Sequence, residues 1–289
     1  MKRKSRQETL WVLAPPVLIF YLCATALPVR EQKLKVEEVV AKHLASIGTA
    51  EARASIKSRL ASGTAEVVLR LGGQGTLSGK GQILSEGRKL RMAFTFGSSD
   101  YPGEQIVFNG EKVDVGQVRT GQRSSLSTFL YTYDVIAREG LLGGVLSTAW
   151  PLLDLDARQA KLDYSGLKKI EGKQLHEVKY RAKKGPGDLQ VALYFDPETF
   201  RHVRTQYRLV RPAGMASDPT ESSSQQDTIY TLSEVFDNFK EADGLILPLA
   251  TRLDLTIEAQ NATIMTHWSF TVTGIAHNQQ VDPKSFTIR

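Results

Sequence analysis

The residues LATRLDLTIEAQNATIMTHWSFTV, numbers 249–272, decide the fold class of this chain of 289 residues. Apolar or β-branched side chains occupy every second position on both sides of a short polar break. The alternation runs through residues 249–257 and resumes in residues 264–272. Because successive side chains of a strand point to opposite faces, this period of two predicts two strands with one apolar and one polar face. Such a pattern is typical of an antiparallel sheet that is wet on one side.

The same period recurs towards the N-terminus, in stretches separated by turn residues such as Asn109-Gly110 and Asp243-Gly244. The further stretches are residues 65–71, 90–96, 106–115, 189–195 and 203–209. A sheet of roughly ten strands has to curl or to split in two. We therefore predict a mainly β fold with some helix, a curved antiparallel incomplete β-barrel whose open side is covered by helices.

Helical spacing appears near the start of the folded part. Apolar residues recur at helical intervals over residues 36–47, and Gly48 follows as a stop signal. Thr49 is placed to cap a second short helix that runs through Ile56. These residues predict a pair of short helices ahead of the first strand.

A second helical pattern lies in the middle of the chain, over residues 124–140, and ends at Gly140. The apolar, glycine-rich residues 141–153 follow it. Because the apolar side chains of this segment need a cover, we expect residues 124–153 to lie across the open side of the sheet as a lid. Gly140, Gly143 and Gly144 would allow such a lid to move.

Residues 1–26 carry the pattern of an export signal. Basic residues in the first six positions precede the uncharged run 10–26, which ends in Ala24-Thr25-Ala26. Cleavage after Ala26 is the first expectation and an uncleaved membrane anchor is the second. Lipid attachment at Cys23 is a third alternative, which the bulky Leu22 disfavours. All three place residues 27–289, as one domain, in the periplasm or cell envelope.

The composition and the motifs disfavour several functional classes. Hydrophobic residues make up 41% and charged residues 24%, which indicates a folded protein. The net charge of +6 is partly local to the N-terminus, and the basic pairs at residues 168–169 and 183–184 are isolated, so we expect no nucleic-acid partner. No nucleophile elbow, zinc-protease motif or histidine pair with ligand spacing is present, so we expect neither an enzyme nor a cofactor or metal.

Three motifs carry a resemblance to a known family. They are LYFDPET at residues 193–199, DGLILP at residues 243–248, and the ending with Asp282-Pro283 and FTI at residues 286–288. With the helix pair ahead of the strands, the chain over residues 35–289 resembles the LolA-like outer-membrane lipoprotein-sorting superfamily. The resemblance implies an incomplete barrel whose apolar cavity holds acyl chains. In the lipoprotein carriers of this superfamily, the cavity lining includes a buried arginine. The motifs identify no corresponding position in this chain.

Two functions remain open. The first is a carrier-like envelope protein whose partners are the acyl chains of a lipid or lipoprotein, held in a concave apolar cavity. The second is a membrane-anchored interaction or stress-sensing protein in which the same face is a filled core. Both have the same sequence pattern, and only an unfilled volume separates them. The candidate cavity residues are Leu90, Met92, Phe94, Phe96, Phe129, Tyr133, Leu253, Leu255, Trp268 and Phe270.

Overall fold

The computed structural model describes residues 34–70, 74–212 and 227–288. The predicted export segment 1–26, with Cys23, lies outside the described residues. So do residues 71–73 and most of the predicted loop at 211–227. The residues from Leu34 onward form one compact unit.

Five helices and twelve strands make up the described chain. The helices are α1 (Val36–Ile47), α2 (Ala50–Ser55), α3 (Ser125–Thr132), α4 (Val135–Arg138) and α5 (Leu155–Arg158). Short 3-10 turns cover Gly144–Leu146, Pro151–Leu153 and Pro283–Phe286. The first strands are β1 (Ser58–Arg70), β2 (Gln74–Glu86), β3 (Lys89–Phe96), β4 (Gly103–Phe108), β5 (Val113–Val115) and β6 (Lys161–Ile170). The others are β7 (Lys173–Arg181), β8 (Gln190–Phe195), β9 (His202–Arg211), β10 (Thr228–Ala242), β11 (Leu245–Ala259) and β12 (Ala262–His277).

All twelve strands belong to one antiparallel sheet with the order β5-β4-β3-β2-β1-β12-β11-β10-β9-β8-β7-β6. The chain builds one half as a meander, from β1 out to β5. It then crosses to the far edge and returns through β6 to β12, which pairs with β1. We call the connection between the two edges, residues 116–160, the crossover segment. The sheet is open and the crossover segment spans its open side, which confirms the predicted incomplete barrel with a helical cover.

The register of the central strands is the predicted one. Trp268 lies opposite Val67 on β1 and Leu253 on β11, and all three side chains are buried. Its neighbour His267 points to the other face, where its ring contacts the Asp254 carboxylate at 2.6 Å. Leu249 is only partly buried, while Leu255 is buried with the others. Since a slip of one residue would exchange the two faces, the buried Trp268 fixes the register.

The helix pair forms where the sequence predicts it. α1 ends at Ile47, and the Thr49 hydroxyl accepts a hydrogen bond of 3.2 Å from the Ala52 amide, which caps α2. Such a cap satisfies one of the free amides at a helix start and stabilises a helix by about 1 kcal/mol. α1 lies against β11, so the pair covers one end of the sheet.

The single helix expected over residues 124–140 is wrong, because the structure has two short helices there. α3 ends where Tyr133 leaves helical geometry, with a ψ of 54°, and α4 begins at Val135. The Tyr133 ring packs on Phe129 and its hydroxyl donates to Asp188 at 3.1 Å. This bend allows both helices to bury their apolar side chains, since an unbroken helix would turn one of those faces away from the sheet.

Candidate functional site

The ten predicted cavity residues all lie in the interior, between 0% and 5% exposed. Eight come from strands on the inner face of the sheet, and Phe129 and Tyr133 come from the crossover segment. Phe94 and Phe270 pack with their ring centroids 6.0 Å apart. The Trp268 indole donates a hydrogen bond of 2.8 Å to the Tyr101 hydroxyl. The structure therefore brings the predicted residues together, and whether they bind a ligand stays a prediction.

The crossover segment fills the volume in front of this inner face. Leu142, Leu146 and Trp150 are each fully buried. A Cβ atom added at Gly143 would lie 3.3 Å from the Ile83 side chain, so the crossover backbone touches the sheet directly. Together with the inner face these side chains form one apolar cluster. In this arrangement the inner face is a packed core.

Polar side chains of the sheet attach the crossover segment through its backbone. The buried carboxylate of Glu234 accepts hydrogen bonds from the Gly143 amide at 2.9 Å and from the Tyr207 hydroxyl at 3.0 Å. Burial raises the pKa of Glu234 from 4.5 to about 7, and the two hydrogen bonds oppose the rise. Arg59 on β1 donates to the Val145 carbonyl at 2.5 Å. The contacts of Gly143 and Val145 thus hold the middle of the segment against the sheet.

A second buried network holds α3. Glu104 on β4 accepts hydrogen bonds from the Tyr101, Ser124 and Ser127 hydroxyls, at 2.5–2.8 Å. Burial raises the pKa of Glu104, and the three hydroxyl donors oppose the rise. Because Tyr101 also receives the Trp268 indole, the network connects α3, β4 and β12. A buried network with every member bonded favours one arrangement of these elements.

Two buried histidines join α1 and β9 to the crossover segment. His43 contacts the Phe200 carbonyl through Nδ1 at 3.1 Å and accepts from the Trp150 indole through Nε2 at 3.0 Å. Burial lowers the pKa of His43 to about 4, so its imidazole is neutral near pH 7. His202 stacks on Trp150 at 4.4 Å, and burial lowers its pKa also. We interpret the pair as structural, because both rings lie in aromatic packing.

A cleft of about 410 Å³ opens between the α1–α2 pair and the crossover segment. We call it the helix–crossover cleft. Its wall is mostly apolar, and Leu153 is a large side chain in it that is 41% exposed. The apolar lining consists of Leu44, Ile47, Ala50, Ala54, Ile56, Val145, Leu153 and Leu245.

The same cleft is strongly cationic. Its charged lining residues are Arg53, Lys57, Arg59, Arg88, Asp154 and Arg158. Arg59 is 5% exposed and donates to the Val145 carbonyl and to the His277 ring. Burial lowers the pKa of Arg59 to about 10, still well above neutrality. An apolar wall beside fixed positive charge is suited to a ligand with a tail and an acidic group.

The helix–crossover cleft could not be predicted from the sequence. Arg59, Arg88 and Arg158 are far apart in sequence and belong to no motif, so no local pattern could have identified them. Two arginines of the described residues, Arg59 and Arg158, are buried, each 5% exposed, and no motif aligns either with the buried arginine of the lipoprotein carriers. Of the predicted residues, Phe129 and Tyr133 line a different pocket of about 200 Å³ beside β9 and β10.

The described part of the chain contains no group of three or more histidine, cysteine, aspartate or glutamate side chains arranged to hold a metal ion. None of its helices is long and apolar enough to cross a membrane.

Comparison with known proteins gives matches to solved structures only. No family model matches the chain, and no curated protein matches it. A putative outer membrane lipoprotein-sorting protein domain from Vibrio parahaemolyticus is 10% identical, with 87% of this chain and 97% of that chain covered and a TM-score of 0.46. A LolA superfamily protein from Nitrosomonas europaea is 14% identical, with 88% and 98% covered and a TM-score of 0.47. A DUF1329 family protein from Desulfovibrio piger is 12% identical, with 87% and 97% covered and a TM-score of 0.40.

The predicted likeness to LolA-like structures is thus found. Identities of 10–14% leave the ligand and the role to be inferred from this chain's own residues.

Proposed function

We propose that this protein binds the acyl chain of a lipid or lipoprotein in the helix–crossover cleft, as a carrier-like protein and not as an enzyme. The observation that supports this proposal is the apolar wall of the cleft, which includes the exposed side chain of Leu153. Large exposed apolar side chains in a concave surface are typical of binding sites. The packed inner face of the sheet supports the cleft by fixing Val145 and the rest of its crossover wall.

The size of the cleft suits one chain. Its volume of about 410 Å³ lies within the range of about 300–1,000 Å³ that small-ligand sites occupy. Moving a methylene group from water to an apolar surface contributes about 0.8 kcal/mol, so eight buried methylenes give about 6 kcal/mol before the cost of ordering the chain. A micromolar affinity, about 8 kcal/mol, therefore needs a further contribution from the rest of the ligand.

The place of action we propose is the periplasm or cell envelope. The basic and apolar pattern of residues 1–26 supports export. The mass of the protein recovered from the envelope fraction tests this part. A product that begins at Leu27 supports cleavage and an intact Met1 supports an anchor, while recovery from the cytoplasm alone contradicts both.

Titration of the full chain with a dansyl-labelled fatty acid tests acyl binding. Leu153→Asp places a carboxylate in the cleft wall and should weaken binding by about tenfold or more, equivalent to about 1.4 kcal/mol. The matched control is Leu167→Asp, because Leu167 is 53% exposed on β6 and lies outside the cleft lining. Leu167→Asp should bind like the wild type, and circular dichroism should show that both variants are folded.

The absence of saturable binding by the wild type would contradict the proposal. The second candidate, an envelope interaction protein without a lipid ligand, would then be favoured by the packed inner face. Equal weakening by both variants would also contradict the proposed place of binding.

A further inference from the structure

The helix–crossover cleft has a positive charge that acyl binding alone does not use. Its cationic residues come from several parts of the fold: Arg53 and Lys57 from α2 and the residues after it, Arg59 from β1, Arg88 from the turn between β2 and β3, and Arg158 from α5. Among the described lining residues Asp154 alone carries a carboxylate. Like charges around one cleft repel each other, so this arrangement favours an anionic occupant.

The closest partners of the two buried arginines are backbone carbonyls and a histidine ring, and carboxylates lie farther off. Arg59 donates to a backbone carbonyl and to the His277 ring, whose Nδ1 contacts the Asp243 carboxylate at 2.6 Å. Arg158 donates to the carbonyls of Glu139 and Ala149 at 2.8 and 2.7 Å. Its closest carboxylate oxygen, on Glu139, is 3.9 Å away and also receives the Tyr180 hydroxyl at 2.6 Å. Hydrogen bonds to carbonyls orient a guanidinium group without cancelling its charge, and neither arginine has a carboxylate of the described residues within hydrogen-bond distance.

Arg88 is the cation most available to a ligand. It is exposed in the turn between β2 and β3, and its side chain makes no hydrogen bond or ion pair with the described residues. The pKa of Arg158 is lowered first by burial and then by the positive charge of Arg88, so the two groups act on each other. Arg88 and Arg158 also line a neighbouring pocket, where five cationic side chains, Lys183 and Lys184 among them, outnumber the carboxylates of Glu111 and Glu139.

We infer that the cleft binds a phosphate-bearing amphiphile, with its phosphate head group at Arg59, Arg88 and Arg158 and its acyl chain against the apolar wall. A phosphate group offers several acceptor oxygens and more than one negative charge, which suits several guanidinium groups better than a single carboxylate does. The inference rests on the proposed acyl binding and names the ligand class for that site. The phosphate head group would also supply the binding free energy that about eight buried methylenes lack for micromolar affinity.

Two lipids that differ only by the phosphate test this inference on the full chain. The probes are myristoyl lysophosphatidate and monomyristoyl glycerol, each used to displace the dansyl-labelled fatty acid. The lysophosphatidate should bind about tenfold tighter or more, the ratio that one charge-assisted hydrogen bond provides. The ratio should fall as salt is added, because exposed charges are screened.

Arg88→Gln is the decisive variant, since Arg88 supports no internal contact whose loss would unfold the chain. It should reduce lysophosphatidate affinity by about tenfold and leave monomyristoyl glycerol unchanged. The matched control is Arg181→Gln, an exposed arginine on β7 outside the cleft, which should change neither.

Three other outcomes would contradict this inference. Equal binding of the two lipids by the wild type would overturn the inference and leave the proposed acyl binding intact. Glycerol 3-phosphate that binds as tightly as the lysophosphatidate would overturn it too, because the site would then take a free phosphate ester. No saturable binding of either lipid would overturn the proposed function and this inference together.

Discussion

The buried carboxyl of Glu234 predicts a measurable pH dependence of stability. Its pKa rises from 4.5 to about 7 in the folded protein, because burial disfavours the charged form. The folded state therefore holds a proton more tightly than the unfolded state between about pH 4.5 and pH 7. The stability contributed by the protonated group is fully present below pH 4.5 and is lost as the pH rises through 7.

The size of the effect follows from the shift. Each unit of pKa difference corresponds to about 1.36 kcal/mol, so the wild type should lose about 3 kcal/mol from this group between pH 4.5 and pH 7.5. Glu234→Gln keeps an oxygen for the Gly143 amide but cannot ionise. The variant should therefore lack this loss.

Two buried histidines change stability in the opposite direction, while the raised pKa of Glu104 acts in the same direction as that of Glu234. Burial lowers the pKa of His43 to about 4 and that of His202 as well, so they add stability as the pH rises towards 6.5. Their contribution is common to wild type and variant, so the difference between the two proteins isolates Glu234.

Urea unfolding at several pH values measures this difference. The free energy of unfolding of Glu234→Gln, relative to wild type, should rise by about 3 kcal/mol from pH 4.5 to pH 7.5. The exposed Glu66 on β1 provides the matched control Glu66→Gln, for which no such change is expected. If the free energy of unfolding of wild type and of Glu234→Gln changed in parallel with pH, the pKa of Glu234 would not be raised in the folded protein.

Two further predictions concern the crossover segment. Gly140→Ala should destabilise the fold by about 3 kcal/mol or more, because φ is +66° and the new Cβ would lie 2.0 Å from the Ala149 carbonyl oxygen. The control Gly121→Ala, with a φ of +77° but open space around it, should cost only about 1–2 kcal/mol. Urea unfolding measures both variants, and equal losses of stability would contradict the role of the Ala149 contact. Trp150→Phe should cost about 1–3 kcal/mol, since it leaves the buried Nε2 of His43 without a donor; unchanged stability would show that this hydrogen bond contributes nothing.

The parts of the fold with strong local signals could be predicted from the sequence. The alternation in residues 249–272 predicts β11, β12 and the buried side of Trp268, and Thr49 predicts the start of α2. β6 was not identified, because an edge strand such as β6 is largely exposed and lacks a clean period of two. The crossing from β5 to β6 also has no local signal, since it depends on which strands pair.

The site could not be predicted for a related reason. Apolar alternation identifies the inner face of the sheet, but a packed core and an acyl cavity share that pattern. The structure shows that the crossover segment occupies this face. The close contact depends on glycine at position 143, because a Cβ atom there would lie 3.3 Å from the Ile83 side chain. The cations of the cleft come from two short helices, a turn and the start of β1, which are far apart in the sequence, so sequence position gives no information about their proximity.

Photo-crosslinking with a diazirine-labelled myristoyl lysophosphatidate locates the bound ligand. The full chain is irradiated with the probe, and the modified residues are identified by mass spectrometry, with unlabelled lysophosphatidate as competitor. Binding in the helix–crossover cleft should give saturable, competed labelling of the cleft wall, within residues 44–57 and 145–153. Competed labelling confined to inner-face strands, such as Lys89–Phe96, or labelling that the competitor does not reduce, would contradict it.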